Sequence, residues 1–569
     1  MNVPEDILNL IFEAIQPLSL KQHQCNVPQL QQRYIWLLPM AAVSRSWRQA
    51  CLRHLYRILI IEINSETASS NIPALLEIGQ EELARQVCVW VHGPESILPE
   101  KLHEELQRAK LFATAWLNVD TLHVWQQSQN MVNLQHSSQI AKGEWEQLNT
   151  DLSISLPSLR QISLDDLSSH DAYGHLWLNQ LINEHMAGPY RLTSLRVFSD
   201  TPPRLQHPIQ ITRLHIDGVT FSRPLAPTWL RIQAECLREL TLGSVSPQSL
   251  WDLFTSTREQ LVFEQLRSLR LVFFWTSRFV PRARNAIVFD SDSSDSSSDD
   301  YELPAACGFM ASRYGQPKFP QLQSLELRRF AGDLPQFLTL FAGSPPYRSQ
   351  LQSLVLAGLK TELPAHLDLA LFPHLQSLDV RLVDYIREDD QLYLTDLLTQ
   401  AFGSAPSHLS RLSLSINFDQ IPEFQFPSLM PFDQSLRSLK LVMEIEVGDL
   451  LQLLQRLPAI DFLIVEDIEM SPVTSLALLV QRLRDMESLS PVSLSLTQLH
   501  TLLANSRNPH AYYALLLFVV CRLPQLYLLR VPEDAVVLLN KAVKTLVSAG
   551  IAANRAPHLQ HLRVLPWAL

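Results

Sequence analysis

One hexapeptide recurs along most of this 569-residue chain: an aliphatic residue, two variable positions, Leu, one variable position, then Leu, Val or Ile. It reads Val119-Asp-Thr-Leu-His-Val, Leu159-Arg-Gln-Ile-Ser-Leu, Leu192-Thr-Ser-Leu-Arg-Val and Ile211-Thr-Arg-Leu-His-Ile in the first half. Leu237-Arg-Glu-Leu-Thr-Leu, Leu266-Arg-Ser-Leu-Arg-Leu, Leu322-Gln-Ser-Leu-Glu-Leu, Leu351-Gln-Ser-Leu-Val-Leu and Leu375-Gln-Ser-Leu-Asp-Val follow. Further copies start at Leu409, Leu436, Ile460, Leu526 and Leu559, with a degenerate first copy at Ala84-Arg-Gln-Val-Cys-Val. The last two aliphatic positions are two apart, so in an extended strand both side chains enter one core. Amphipathic stretches such as Leu334–Phe341, Gly448–Leu457 and Ala535–Val547 lie between copies and predict return helices. A strand with one return helix cannot bury its own face, whereas stacked coils bury a continuous core under a parallel sheet.

The pattern resembles the LxxLxL strand signature of leucine-rich repeats. The resemblance implies an α/β solenoid over 63–569, irregular in period, with its parallel sheet on a concave side. Copies lie 24 residues apart from Leu351 to Leu375 and 34 apart from Leu375 to Leu409. The asparagine of regular repeats is missing after the strand, and apolar residues stand there instead: Val219, Val245, Phe330, Leu359 and Val383. The turns should therefore be looser and more helical. A set of unrelated strands in a large α/β enzyme would need a Gly-rich phosphate loop or another site signature, and the chain has only 15 glycines.

The longest gap between copies, Leu266 to Leu322, contains Asp290-Ser-Asp-Ser-Ser-Asp-Ser-Ser-Ser-Asp-Asp-Tyr-Glu302. Such a run has nothing with which to form a core and repels itself, so 278–316 is expected to loop out of the array as a disordered insertion. Ser296 and Ser297 each have an Asp three residues on, the pattern acidophilic kinases favour; an unregulated solvated linker is the alternative. Replacing Arg278–Gly315 with a short Gly/Ser linker should leave the melting temperature nearly unchanged. Closure entropy changes by only ~0.6 kcal/mol per doubling of loop length. A drop of many degrees would mean that Phe309, Met310 or Tyr314 packs into the array.

The N-terminal residues follow another pattern. Val3-Pro-Glu-Asp-Ile-Leu-Asn-Leu-Ile-Phe-Glu-Ala-Ile15 opens with Pro4 at a first helical position and carboxylates in the first turn, where they complement the helix dipole. Ile7, Leu8, Ile11, Phe12 and Ile15 mark one apolar face. In Leu37–Tyr56 the spacing predicts a helix carrying Val43, Trp47, Cys51 and Leu55 on one face and Ser44, Arg45, Arg48 and Gln49 on the wet side. Helices this short and apolar leave surface for a partner. Over residues 2–58 the two segments resemble the F-box, the motif by which substrate receptors join SCF ubiquitin ligases. Val3 stands where a leucine is usual, and the spacer from Gln16 to Arg33 is longer than the family's turn.

The resemblance implies an F-box domain at 1–62 that holds a Skp-type adaptor and, through it, a cullin scaffold. Pro4, Ile7, Leu8, Ile11, Phe12, Leu38, Val43 and Trp47 would form the contact and its support, and the repeats would hold a target protein. A repeat scaffold with no role in ubiquitination is the alternative. For the target, outward strand positions include Arg328, Arg381, Arg411 and Lys440 in the copies after the insertion.

Little in the chain points to chemistry. No GxGxxG, Walker loop, HExxH, GxSxG or metal-spaced Cys/His group occurs, so neither an enzyme nor a cofactor is expected. Histidines fall singly, His215 and His561 at outward strand positions. Six scattered cysteines suggest reduced thiols, and no secretory signal is visible, which together suggest a cytoplasmic or nuclear protein. A net charge of −11 carries no signature of nucleic-acid binding. The apolar run Tyr512–Cys521 is too short to span a membrane and reads as a buried helix.

Overall fold

The structure is a computed structural model that describes residues 8, 37, 39–63, 68–92, 99–127, 142–166, 192–198, 211–217, 234–247, 250, 262–273, 319–331, 333–342, 349–359, 368–382, 403–416, 432–469, 477, 480, 481, 483, 491–501, 509–550 and 556–566. Two compact units divide it, Met1–Ser244 and Val245–Leu569.

In the first unit α1 (Arg45–Tyr56) leads through Arg57 into β1 (Ile58–Ile63). β2 (Ala68–Ser70), α2 (Ile72–Ile78), β3 (Gln86–His92), α3 (Pro99–Arg108), β4 (Thr121–Gln127) and α4 (Lys142–Ser155) follow. β5 (Gln161–Asp166), β6 (Ser194–Phe198), β7 (Arg213–Asp217) and β8 (Glu239–Val245) complete the series. β1 pairs parallel with β3, and each later strand pairs parallel with the one before. Among the described strands only β2 runs antiparallel, against the outer side of β1. Beside it the Asn71 amide works as a clamp: Ile60 N–H donates to Oδ1 at 2.8 Å and Nδ2 donates to the Ile58 carbonyl at 3.0 Å. Both devices occupy backbone groups that an edge strand would otherwise expose.

The second unit carries β9 (Ser268–Phe273), β10 (Ser324–Arg328), α5 (Leu334–Ala342), β11 (Ser353–Leu359), β12 (Ser377–Leu382), β13 (Arg411–Ser415) and β14 (Ser438–Glu446). Then come α6 (Val447–Arg456), β15 (Phe462–Glu469), β16 (Gln498–Thr501), α7 (Pro509–Val520), β17 (Leu528–Val531), α8 (Glu533–Ser548) and β18 (Arg563–Pro566). Every neighbouring pair from β9 to β18 is parallel. β9 pairs directly with β10 although residues 274–323 separate them. The expected disorder of 278–316, with Ser296 and Ser297, lies outside the described residues.

The hexapeptide sets the register. Its Leu stacks strand on strand as Leu325, Leu354, Leu378, Leu412, Leu439, Leu463, Leu499 and Leu529, all buried. Each is worth roughly 1.5–3 kcal/mol of hydrophobic transfer. Val245, Phe330 and Leu359, which replace the asparagine, are buried too, so the core extends to the place where regular repeats keep a polar ladder.

A main-chain ladder runs elsewhere. In the second unit the carbonyl just ahead of each strand accepts two N–H groups of the next coil: Gln323 and Ser324 on Arg267, Gln352 and Ser353 on Gln323, Gln376 and Ser377 on Gln352, Ser410 and Arg411 on Gln376. The rungs continue through Ser410, Arg437, Asp461 and Thr497. In the first unit the ladder starts on Arg57, which takes Arg85 and Gln86 at 2.9 and 3.1 Å. The Thr212 and Ser410 hydroxyls donate to the same acceptors as their backbones. These rungs satisfy backbone polar groups at the entrance to each strand.

The expected return helices are present as α5, α6 and α8, and α7 covers the apolar run. Asp333 caps α5, its carboxylate accepting the Gln336 N–H at 3.0 Å. Three strands lack a counterpart in the sequence reading: β1, β2 and β16. His561 lies in the turn ahead of β18, not on the strand as expected, because Pro557–Gln560 forms a short 3-10 helix that delays the extended segment.

Candidate interaction surfaces

Two regions gather the residues singled out in the sequence. In the N-terminal region, Leu8, Leu37, Ala50, Cys51 and Leu55 form a buried cluster, with Met40, Ala41, Trp47 and Tyr56 half-buried against it. Pro4, Ile7, Ile11, Phe12 and Leu38 lie outside the described residues.

One expectation fails here. Val43 is not on the apolar face of α1. The helix starts at Arg45, because the Ser44 hydroxyl accepts the Trp47 N–H at 3.3 Å and ends the helix there as its N-cap. Val43 therefore sits in the preceding turn, 65% exposed. Trp47, Cys51 and Leu55 do face inward, and the Arg48 guanidinium closes the turn by donating from Nε to the Ala41 carbonyl at 3.3 Å. Burial pushes the Cys51 thiol up to about 11 and the Cys521 thiol up to about 12, so both stay protonated and unreactive.

The outward face of the strands is the second region. Arg328 sits on β10 two residues from Glu326 and donates its Nε to that carboxylate, which Arg270 on β9 also approaches at 3.5 Å. Arg381 clamps Asp379 on its own strand, with Nε 3.1 Å from both oxygens and a terminal nitrogen 2.5 Å from Oδ2. In the first unit Arg213 faces Glu239 across β7 and β8 at 3.3 Å. Two of the four cations picked for a target, Arg328 and Arg381, are thus already engaged by neighbours at i−2. Arg411 and Lys440 have no carboxylate within ion-pair distance among the described residues.

Two histidines of this face were passed over as solitary. His500 on β16 is 6% exposed, its ring edge-on to Phe462 at 4.7 Å. Burial and then the neighbouring Arg530 charge bring its pKa down to about 4. His123 on β4 is brought down to about 4 by burial and then by Arg196. Both are neutral when folded, while the unfolded chain protonates them near pH 6.5. The stability they allow is complete above about pH 6.5 and is lost as pH falls toward about 4. Tm measured from pH 7.5 to 5 should fall, and His500→Gln should flatten that slope. An unchanged slope would show that His500 does not contribute to it.

Among the described residues no group of three or more His, Cys, Asp or Glu could hold a metal ion, and no helix is long and apolar enough to cross a membrane. No family model and no curated protein matches the chain. Among solved structures, similarity extends to the Toll–Spatzle complex, described as a molecular hub in Drosophila development and innate immunity. Identity is 13% and the TM-score 0.31, with 84% of this chain aligned. The chain spans 61% of the length of that one. The register and ladder set out above define the architecture on their own. Each unit is a stack of leucine-rich-repeat-like coils.

Proposed function

We propose that this chain is the substrate-recognition subunit of an SCF-type E3 ubiquitin ligase, with the N-terminal helices holding a Skp-type adaptor and the strand face holding a target protein. The observation that carries this reading is the arrangement around α1. Leu8, Leu37, Ala50, Cys51 and Leu55 of the F-box-like pattern share one buried cluster, and the turn before α1 leaves an apolar residue, Val43, in solvent. Exposed apolar groups beside a packed core are what a docking module presents.

The junction suits the role. Arg57 follows the last residue of α1, and its carbonyl is the first rung of the ladder, so the adaptor end would be tied to the target end without a flexible linker. The chain would make and break no bond itself. It would raise the effective concentration of a target lysine near a ubiquitin-loaded enzyme. Co-purification of a Skp-type adaptor with the full-length chain tests the reading; if no adaptor comes through, the chain is a repeat scaffold of another kind.

A further inference from the structure

The outward face of the second unit divides by how its cations are used. From β9 to β12 they are engaged by carboxylates within the sheet: Arg270 and Arg328 share Glu326, and Arg381 holds Asp379. From β13 to β18 Arg411, Lys440, Arg530 and Arg563 have no carboxylate within ion-pair distance among the described residues. Arg530 Nε is moreover shut off from solvent with no acceptor. A buried donor without an acceptor is costly, and an incoming carboxylate would relieve it.

The register turns these residues into a pattern. Lys440 pairs with Ile464, Ile464 with His500, and His500 with Arg530, so these four form one row across β14 to β17. The centre of that row is apolar: Ile464, and the His500 ring against Phe462. The ends are cationic: Lys440 and Arg530 close the row, and Arg411 on β13 and Arg563 on β18 stand two residues back from it, opposite Ser438 and Leu528. Lys440 and Arg530 are three strand spacings apart, ~14 Å. Four residues of extended chain cover ~13 Å, and alternate side chains of such a segment face the same way.

Nearby carboxylates bound the row. Glu466 lies two residues beyond Ile464 on β15. Asp461, one residue before β15, receives the Thr497 hydroxyl.

We infer that this row binds an extended segment of a partner protein carrying the pattern acidic–x–apolar–x–acidic, its two carboxylates on the Lys440 and Arg530 ends and its apolar side chain over Ile464 and Phe462. The inference rests on the strand face being the target site and adds the chemistry and spacing of what sits there. The preference for an apolar residue between the acids separates it from general attraction to anions.

The test uses the full-length protein and a fluorescein-labelled peptide bearing Glu-Ser-Leu-Ser-Glu in a Gly/Ser frame, read by anisotropy at low salt. The peptide binds, binding weakens as salt rises, and replacing both Glu by Gln abolishes it. Lys440→Gln with Arg530→Gln weakens it roughly tenfold or more, as loss of charge-assisted contacts requires, without changing the circular dichroism spectrum. No binding by the wild-type chain overturns the inference, as does equal binding by the double variant. Equal binding of a peptide whose two Glu stand two residues apart, or nine apart in a helix-forming frame, overturns the extended pattern. Adaptor capture is followed on the wild-type chain in parallel: failure of adaptor capture alone sinks the ligase reading, and failure of peptide binding alone sinks this one.

Discussion

Phe337→Ala destabilises the second unit by about 3–5 kcal/mol, the usual cost of emptying a buried phenylalanine site. Phe337 has no exposed surface and stands at the centre of an aromatic group. Its ring is 4.9 Å from Phe330, 5.7 Å from Phe273 and 5.9 Å from Phe341 between centroids. Phe273 ends β9, Phe330 follows β10 at the place of the missing asparagine, and Phe341 lies one turn on in α5. The ring therefore holds together two strands that pair across residues 274–323, and its edge-on contact with Phe273 adds to the area it buries. The neighbours cannot all close in on the void, because each is anchored by its own strand or helix. Urea unfolding of the second unit's signal measures the loss. A shift in midpoint worth less than about 1 kcal/mol would mean that this aromatic group is loosely packed.

The second large effect is expected at the adaptor surface. Trp47→Ala should weaken capture of a Skp-type adaptor roughly thirtyfold, since aromatic anchors carry ~2 kcal/mol or more at interface centres. Trp47 is half-buried and also packs on the cluster of Leu8, Leu37, Ala50, Cys51 and Leu55, so the variant removes support together with contact. Val43→Glu separates the two roles. Its side chain stands in solvent in the turn before Ser44, and a charge there leaves the cluster intact. If both variants weaken capture while the far-ultraviolet spectrum is unchanged, the turn and the helix form one docking face. Unchanged affinity in both removes the F-box assignment.

Leucine spacing alone was enough to place most of the sheet, because buried pairs two residues apart admit only an extended chain. It missed β16, whose last inward position is Thr501, a polar side chain with no exposed surface. It missed β1, where Ile58-Leu-Ile-Ile has apolar side chains on both faces and so shows no alternation. Val43 was misplaced for another reason: a four-residue period continues backward past a helix start without registering it, whereas the Ser44 cap ends the helix physically. The interaction face was only half legible. Which residues point outward follows from alternation, which also sets Arg381 beside Asp379 on one strand, but that Lys440 meets Ile464 and Ser413 depends on register between strands distant in sequence.

The carbonyl ladder has a direction, and that direction matters while the chain is being made. Each pair of N–H groups reaches back to a carbonyl of the coil before it: Gln352 and Ser353 to Gln323, Gln376 and Ser377 to Gln352, onward to Thr497. Each donor finds its acceptor already translated. Synthesis at roughly 5–20 residues per second gives each coil a second or more to settle before the next one emerges, far longer than a helix or strand pair needs to form. The nascent chain therefore always exposes one ready row of acceptors, and the next coil to leave the ribosome is the segment best placed to cover it.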